Sequence, residues 1–364
     1  MPSRPRLTPP VADIRRAVRE ALADLALHEN EGDSSRRAAV RAQRAGASPE
    51  SPSFSSSGPL VLVALSGGPD SLALAAAVAF EAPRAGLRAG AVIVDHGLQD
   101  ASAETAERAA GQARGLGLDP VRIVKVEVSG EGGPEASARA ARYGALDAVA
   151  GELGAVAVLL GHTLDDQAET VLLGLARGSG AASLQGMAPR TGRYRRPLLG
   201  IRRSMTVQAC ADAGLEPWLD PHNADPAYTR VRVRRNVLPV LEAELGPGVA
   251  DALARTAEQL REDTEALDTF AEEVAEDLAE HAEAGVSLPV AALASNPPAL
   301  RQRLIRLVVQ SEFGVALSRA QTLEVARLVT DWHGQTGVDL PGVRVVRREG
   351  RLEFSAREES HGVR

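Results

Sequence analysis

Four short apolar runs recur along the chain: LVLVAL from Leu60, AVIVD from Ala91, VRIVKVEV from Val121 and AVAVLLG from Ala155. They stand about 30 residues apart with helical patterns between them, which is the spacing of strand–helix–strand units. A run that is apolar at consecutive positions leaves no wet face, so it suits a strand of a parallel sheet covered by helices on both sides. The pattern predicts an α/β fold, a parallel sheet with helices on both faces. Ligands of such sheets bind beyond the carboxyl ends of the strands. The residues to read are therefore Ser66 to Ser71, Asp95 to Gly97 and Gly161 to Asp166.

The flanks differ in character. Residues 1–28 hold a helical pattern entered through prolines, and 29–58, rich in Ser, Arg, Ala and Gly, read as a disordered insertion acting as a linker. The α/β domain is expected over 59–215, a basic linking segment over 216–248, and a smaller, mostly helical C-terminal domain over 249–364. There Leu253, Leu260, Leu267 and Val274 fall on one stripe of a long acidic helix, and helical patterns start near 298 and 318. The closing VRVVRREGRLEF predicts a hairpin that turns at Glu349 and Gly350.

Composition narrows the function classes. No apolar run approaches the roughly 20 residues that span a bilayer, and MPSRPRLTPPVADI lacks the pattern of a signal peptide, so a cytoplasmic protein with no membrane partner is expected. Cys210 is the only cysteine, which excludes an internal disulfide, a cysteine-pair zinc site and a thiolate-held iron–sulfur cluster. The net charge of −7 hides segregation: Glu258 to Glu283 holds eleven acids and one arginine, whereas Thr170 to Ala211 holds seven arginines and no acid. Because Lys125 is the only lysine, arginine is the default cation, and only clustering carries weight.

The first of the three strand ends reads SGGPDS, from Ser66 to Ser71. A strand-to-helix turn presents free backbone N–H groups and the positive end of a helix dipole to an anion. Gly67 and Gly68 permit close approach, Pro69 suits a first helical position, and Ser66, Asp70 and Ser71 add polar groups. The same residues also describe an ordinary capped turn. The loop is neither a Walker loop nor a dinucleotide fingerprint, since the lysine and the third glycine are missing. Ala64 to Gly68 overlaps the pattern of a nucleophile elbow, which would make Ser66 an acyl-transfer nucleophile served by His281 or His333.

SGGPDS resembles the SGGxDS loop of the PP-loop (N-type) ATP pyrophosphatases. With VDHGL at 94, EASARAARY at 135, GHTLDDQAETVLLGLARGSG at 161, RPLL at 196 and WLDPHNADPAYTRVRVRRNVLP at 218, the chain resembles the bacterial tRNA(Ile)-lysidine synthases from Leu60 to about Pro239. It departs from them in the insertion before the loop and in a C-terminal region shorter than that of the longer members. The resemblance implies an adenine nucleotide alpha hydrolase-like fold, ATP and Mg²⁺ as cofactors, and ATP split into AMP and pyrophosphate. Its substrates would be L-lysine and the tRNA(Ile) with a CAU anticodon, whose wobble cytidine is adenylated and then converted to lysidine. Amide-forming and sulfur-inserting relatives need cysteines that Pro2 and the lone Cys210 do not supply, so an amine nucleophile fits. Another PP-loop tRNA-modifying enzyme and a tRNA-binding module with an inactive ATP site stand as alternatives.

The resemblance also implies roles. Ser66, Gly67, Gly68, Asp70 and Ser71 would cradle the phosphates, with Asp70 a magnesium ligand, and Asp95 and His162 would border the nucleotide or base. Asp166 and Glu169, three apart on one helix face beside Asp165, would capture lysine and take its proton, although an acidic first helical turn is also ordinary. Arg139 and Arg142 would meet the α-phosphate or the adenylated base, Arg142 in preference. Arg232 and Arg234, in a segment with Arg230 that is either helix or strand, would serve the site or tRNA phosphates. Arg190, Arg193, Arg195 and Arg196 with Tyr194 read as a flexible basic loop for the tRNA backbone.

Overall fold

The computed structural model describes residues 7–32, 58–97, 102–126, 134–178, 180–220, 225–282 and 285–357. Residues 33–57, most of the stretch read as an insertion, lie outside them; its first residues end the helix Pro9–Gly32. The chain divides into two compact units, Met1–Glu258 and Gln259–Arg364.

In the first unit the four apolar runs form parallel strands β1 (Leu60–Ala64), β2 (Arg88–Asp95), β3 (Val121–Lys125) and β4 (Ala155–Leu160). Two short strands, β5 (Arg190–Thr191) and β6 (Tyr194–Arg195), pair antiparallel with each other, β6 lying parallel to β4. The order is β3-β2-β1-β4-β6-β5. Strand side chains alternate between faces. Val61 and Val63 therefore pack with Ala91, Ile93, Ala157 and Leu159 under the helices Pro9–Gly32, Pro69–Glu81, Ser102–Gly115 and Arg203–Asp212. Leu60 and Leu62 pack with Val92, Val158 and Leu160 on the other face, against Leu146, Val149 and Ala150 of the helix Pro134–Glu152. Leu62 is fully buried, and burying a side chain of this size stabilises the fold by roughly 1.5–3 kcal/mol.

The strand order places the site. From β1 the chain winds outward through β2 to β3, then crosses back to β4 on the other side of β1. The connections at the carboxyl ends of β1 and β4 diverge there, and the crevice between them is where ligands of open parallel sheets bind.

The second unit is mostly helical, as expected, and residues 259–278 of the long acidic helix Val249–Leu278 belong to it; the sheet beside its helices is the part not expected. It holds helices Val290–Ser295, Pro298–Phe313 and Arg319–Thr330, together with a five-stranded antiparallel sheet ordered β7-β8-β11-β10-β9. Its strands are β7 (Glu280–Ala282), β8 (Gly285–Pro289), β9 (Val338–Leu340), β10 (Val343–Arg348) and β11 (Arg351–Ala356). The strands β7, β8 and β9, of three to five residues, have neither a continuous apolar run nor the length to display a period of two, and only the terminal hairpin is legible in the sequence. That hairpin turns at Glu349 (φ 48°) and Gly350 (φ 78°), as expected. Among the described residues no helix is long and apolar enough to cross a membrane.

Candidate functional site

At the end of β1 the backbone N–H of Leu65 bonds to Val92 O, and the chain then turns through Ser66 to Gly68 into the helix Pro69–Glu81. Gly67 takes a φ of 82°, a left-handed conformation that favours glycine, and Gly68 is the N-cap with Pro69 in the first turn. Ser71 Oγ ties the turn together: it donates to Gly68 O at 3.0 Å, accepts from Ser66 N at 3.2 Å and lies 3.1 Å from Ser66 Oγ. The hydroxyl of Ser66 thus faces a hydroxyl, not the imidazole that an acyl-transfer serine requires. Gly161, just after β4, closes the turn from the side. A Cβ there would stand 3.0 Å from the Asp70 carbonyl carbon and the Ser71 nitrogen.

The second strand end builds the acidic wall. Thr163 caps the helix Leu164–Ala176, and Asp166 completes a reciprocal capping box by accepting from Thr163 N and Oγ1, both at 2.8 Å. One turn on, Glu169 is fully buried. Arg234 grips it with two hydrogen bonds, Nε to Oε1 at 2.6 Å and Nη2 to Oε2 at 3.0 Å. Arg230 Nε lies 3.2 Å from Oε2, and Arg203 Nη1 lies 3.5 Å from Oε1.

Arg203 joins this wall to the SGGPDS turn. Its Nη2 donates to Asp166 Oδ1 at 2.7 Å, its Nε donates to Asp70 Oδ2 at 3.1 Å, and Thr206 Oγ1 bonds to Asp70 Oδ1. Asp165 faces away from the other two carboxylates and accepts the backbone N–H of Arg203 at 2.7 Å, fixing the start of the helix Arg203–Asp212. Burial pushes the Asp70 carboxyl upward against the pull of Arg203. For Asp166 burial acts in the same sense, but Arg203 and the two Thr163 bonds outweigh it and hold the carboxyl below its ordinary range. For Arg203, burial is outweighed by Asp166, Asp70 and Glu169, which raise its pKa.

A cleft of about 650 Å³ opens over these groups, lined by Ser66, Gly68, Asp70, Ser71, Asp166, Arg203 and Arg234 and, on the other side, by His96, Arg142, Tyr143 and His162. Arg142 forms no ion pair among the described residues, and burial with Arg139 and Arg230 nearby lowers its pKa. The Nδ1 atoms of His96 and His162 have no partner among the described residues. Burial lowers the His162 pKa to about 4, so its ring is neutral at neutral pH. From a third side the backbone N–H of Trp218 donates to Gly67 O at 2.9 Å, and Trp218, Leu219 and Asp220 line the cleft mouth.

Other residues singled out in the sequence stand apart from the cleft. Asp95 is buried and accepts Gly97 N–H at 2.9 Å, ending β2, while its neighbour His96 reaches the cleft. Arg139 is exposed and donates to Tyr143 Oη at 3.3 Å. Arg232 closes its own turn on Pro226 O, Ala227 O and Thr229 Oγ1. The segment around it is helical, Thr229–Arg232 followed by a π-helical turn Val233–Val237, so Arg230 and Arg234 point the same way.

Side chains of the basic loop bond to the loop's own backbone. Arg196 is buried and donates to Ala188 O at 2.8 Å, Arg195 donates to Gly192 O at 2.7 Å, and Tyr194 stacks edge-on against Tyr143. Arg190 is exposed, and Arg193 pairs loosely with Asp147 at 3.5 Å. Arg203 and Thr206 carry no motif of their own; the one signal in the sequence is the acid-free arginine cluster around Arg203.

A PP-loop domain model matches residues 41–241, and a TilS substrate binding domain model matches 288–353. The tRNA(Ile)-lysidine synthase of Leifsonia xyli subsp. xyli is 67% identical over 298 residues, covering 82% of this chain and 90% of that one. That of Thermobifida fusca is 52% identical over 351 residues, 96% of this chain and 98% of that one. That of Salinispora tropica is 51% identical over 355 residues, 95% and 96% of the two chains.

Proposed function

The chain belongs to the tRNA(Ile)-lysidine synthase family, and we propose that it joins free L-lysine to carbon 2 of the wobble cytidine of the tRNA(Ile) with a CAU anticodon. The observation that carries this reading is one guanidinium, Arg203, tying the SGGPDS turn to Asp166 within a single cleft and reaching the buried carboxylate of Glu169 as well. In the first step the cytidine oxygen bonds to the α-phosphorus of ATP and the bond to pyrophosphate breaks. In the second the neutral ε-amine bonds to carbon 2, the carbon–oxygen bond breaks, and AMP leaves with that oxygen. The amine gives up a proton on the way.

Each demand has a residue to meet it. The backbone N–H groups of Asp70 and Ser71 at a helix start, with the hydroxyls of Ser66 and Ser71, suit the phosphates. Arg142, without a carboxylate of its own, suits an α-phosphate. His162, neutral and with a free ring nitrogen, suits a hydrogen bond to a base rather than a charge. Asp166 and Glu169 suit an ammonium, and Asp166, on the cleft wall, is placed to take its proton, though as a weak base because Arg203 and Thr163 hold its carboxyl below the ordinary range. Magnesium prefers one or two carboxylates plus substrate phosphates, and Asp70 on the cleft floor would be such a ligand, stabilising charge on the departing pyrophosphate. Exposed Arg190 and Arg193 suit tRNA phosphates, and a cytoplasmic location follows from a tRNA substrate.

The test is incubation of the protein with a CAU-anticodon transcript, radiolabelled lysine and ATP. Label is expected in the tRNA only when ATP is present. Failure to label, or labelling without ATP, would overturn the reading.

A further inference from the structure

The charges around Glu169 balance: Asp70, Asp166 and Glu169 face Arg203, Arg230 and Arg234. A carboxylate has about four lone-pair sites; both oxygens of buried Glu169 accept hydrogen bonds from Arg234 or Arg203 at 2.6 to 3.5 Å, and Arg230 Nε stands 3.2 Å from Oε2 as an ion pair without a hydrogen bond. An ammonium arriving there meets neither net negative charge nor a free oxygen. If Asp166 and Glu169 are the lysine site, as proposed above, one guanidinium must leave when lysine enters.

The three differ in what else holds them. Arg203 is bound to Asp70 and Asp166 as well, and its backbone N–H is fixed by Asp165. Arg230 also donates to Thr170 Oγ1 at 2.5 Å. Arg234 hydrogen-bonds, among the described residues, to Glu169 and Asp166 alone, and it lines the cleft. Its backbone lies in the π-helical turn Val233–Val237, an irregularity that recurs at functional sites.

We propose that Arg234 is a placeholder cation. Its guanidinium occupies the seat of the lysine ε-ammonium, is displaced by it, and turns into the cleft toward the phosphate of the adenylated cytidine. Lysine arrival then delivers a cation to the departing AMP, so amine capture and leaving-group stabilisation become one event. Because Arg234 competes with lysine in the resting protein, the apparent dissociation constant for lysine is the intrinsic one divided by the fraction of molecules in which the seat is free.

The test uses the full chain carrying Arg234→Gln or Arg234→Ala, with lysine binding followed by calorimetry and kcat and KM measured separately. Arg203 and Arg230 stay on Glu169 in both variants, so its charge is not stranded. Lysine is expected to bind several-fold tighter while kcat falls about a hundredfold, the size of effect seen when one transition-state donor is lost. Unchanged or weaker lysine binding would overturn the proposal. Millimolar guanidinium is expected to raise the KM for lysine in Arg234→Ala and not in the parent protein; no such competition also overturns it. Lysine binding that survives in Asp166→Asn and Glu169→Gln would remove the site reading itself, a result distinguishable from either outcome at Arg234.

Discussion

Arg203 Nε donates to Asp70 Oδ2 at 3.1 Å, linking two helix starts that are 133 residues apart in the chain. The same planar fork reaches Asp166, so one side chain sets the distance between the SGGPDS turn and the acidic wall. A lysine has a single point charge and cannot hold both in fixed geometry. Arg203→Lys is expected to lower kcat/KM about a hundredfold, the scale of an ångström-sized misplacement. Steady-state labelling of the transcript, with circular dichroism to show retained fold, checks it.

Glu169→Gln removes a buried charge from among three guanidiniums. Breaking a buried ionic network by deleting one partner costs about 3–5 kcal/mol. The variant is expected to unfold at a clearly lower temperature and to transfer no lysine. Asp166→Asn, on a half-buried residue, is expected to lose activity with a smaller drop in melting temperature.

Gly161→Ala places a methyl group 3.0 Å from the backbone of Asp70 and Ser71, so the SGGPDS turn must shift. An about tenfold weaker apparent affinity for ATP is expected, corresponding to about 1.4 kcal/mol. Gly144→Ala is the control, because a Cβ there meets nothing within 4 Å. It sits within the helix Pro134–Glu152, where alanine stabilises by about 0.5–1 kcal/mol relative to glycine.

His162 is held neutral, its pKa lowered from 6.5 to about 4 by burial. As pH falls, the unfolded chain binds this proton before the folded one does, so the contribution to stability is whole above pH 6.5 and declines between 6.5 and about 4. A shift of that size is worth at most about 3 kcal/mol. His162→Gln is expected to flatten the stability–pH curve over this window, as measured by urea unfolding at several pH values. A parallel curve in the variant would contradict the assignment.

Binding of tRNA is expected to weaken steeply with salt, with Arg190→Ala and Arg193→Ala each lowering the slope by about one phosphate contact. Fluorescence titration of the transcript at several salt concentrations measures it, and a flat dependence would remove the loop from the tRNA surface.

Local sequence carried much of this. The runs at Leu60, Ala91, Val121 and Ala155 became the strands β1 to β4 because consecutive apolar residues have no stable place except between two helical layers. Gly67, Gly68 and Pro69 announced the turn because each answers a backbone requirement that few other residues meet. The hairpin at Glu349 and Gly350 was legible for the same reason. The short strands β7, β8 and β9 were not, since their stability comes from neighbours in the sheet and not from their own pattern.

The sequence by itself determined the parallel sheet and the SGGPDS turn, because periodicity and backbone preference act over a few residues, while Asp70, Asp166 and Glu169 were singled out through the family resemblance. Only the tertiary structure decided which arginines meet them. In a chain whose cations are nearly all arginine, nothing local separates Arg203, Arg230 and Arg234 from Arg232 or Arg196. A salt bridge depends on distance through space, and that distance exists only once the helices Pro69–Glu81, Leu164–Ala176 and Arg203–Asp212 have packed around one sheet.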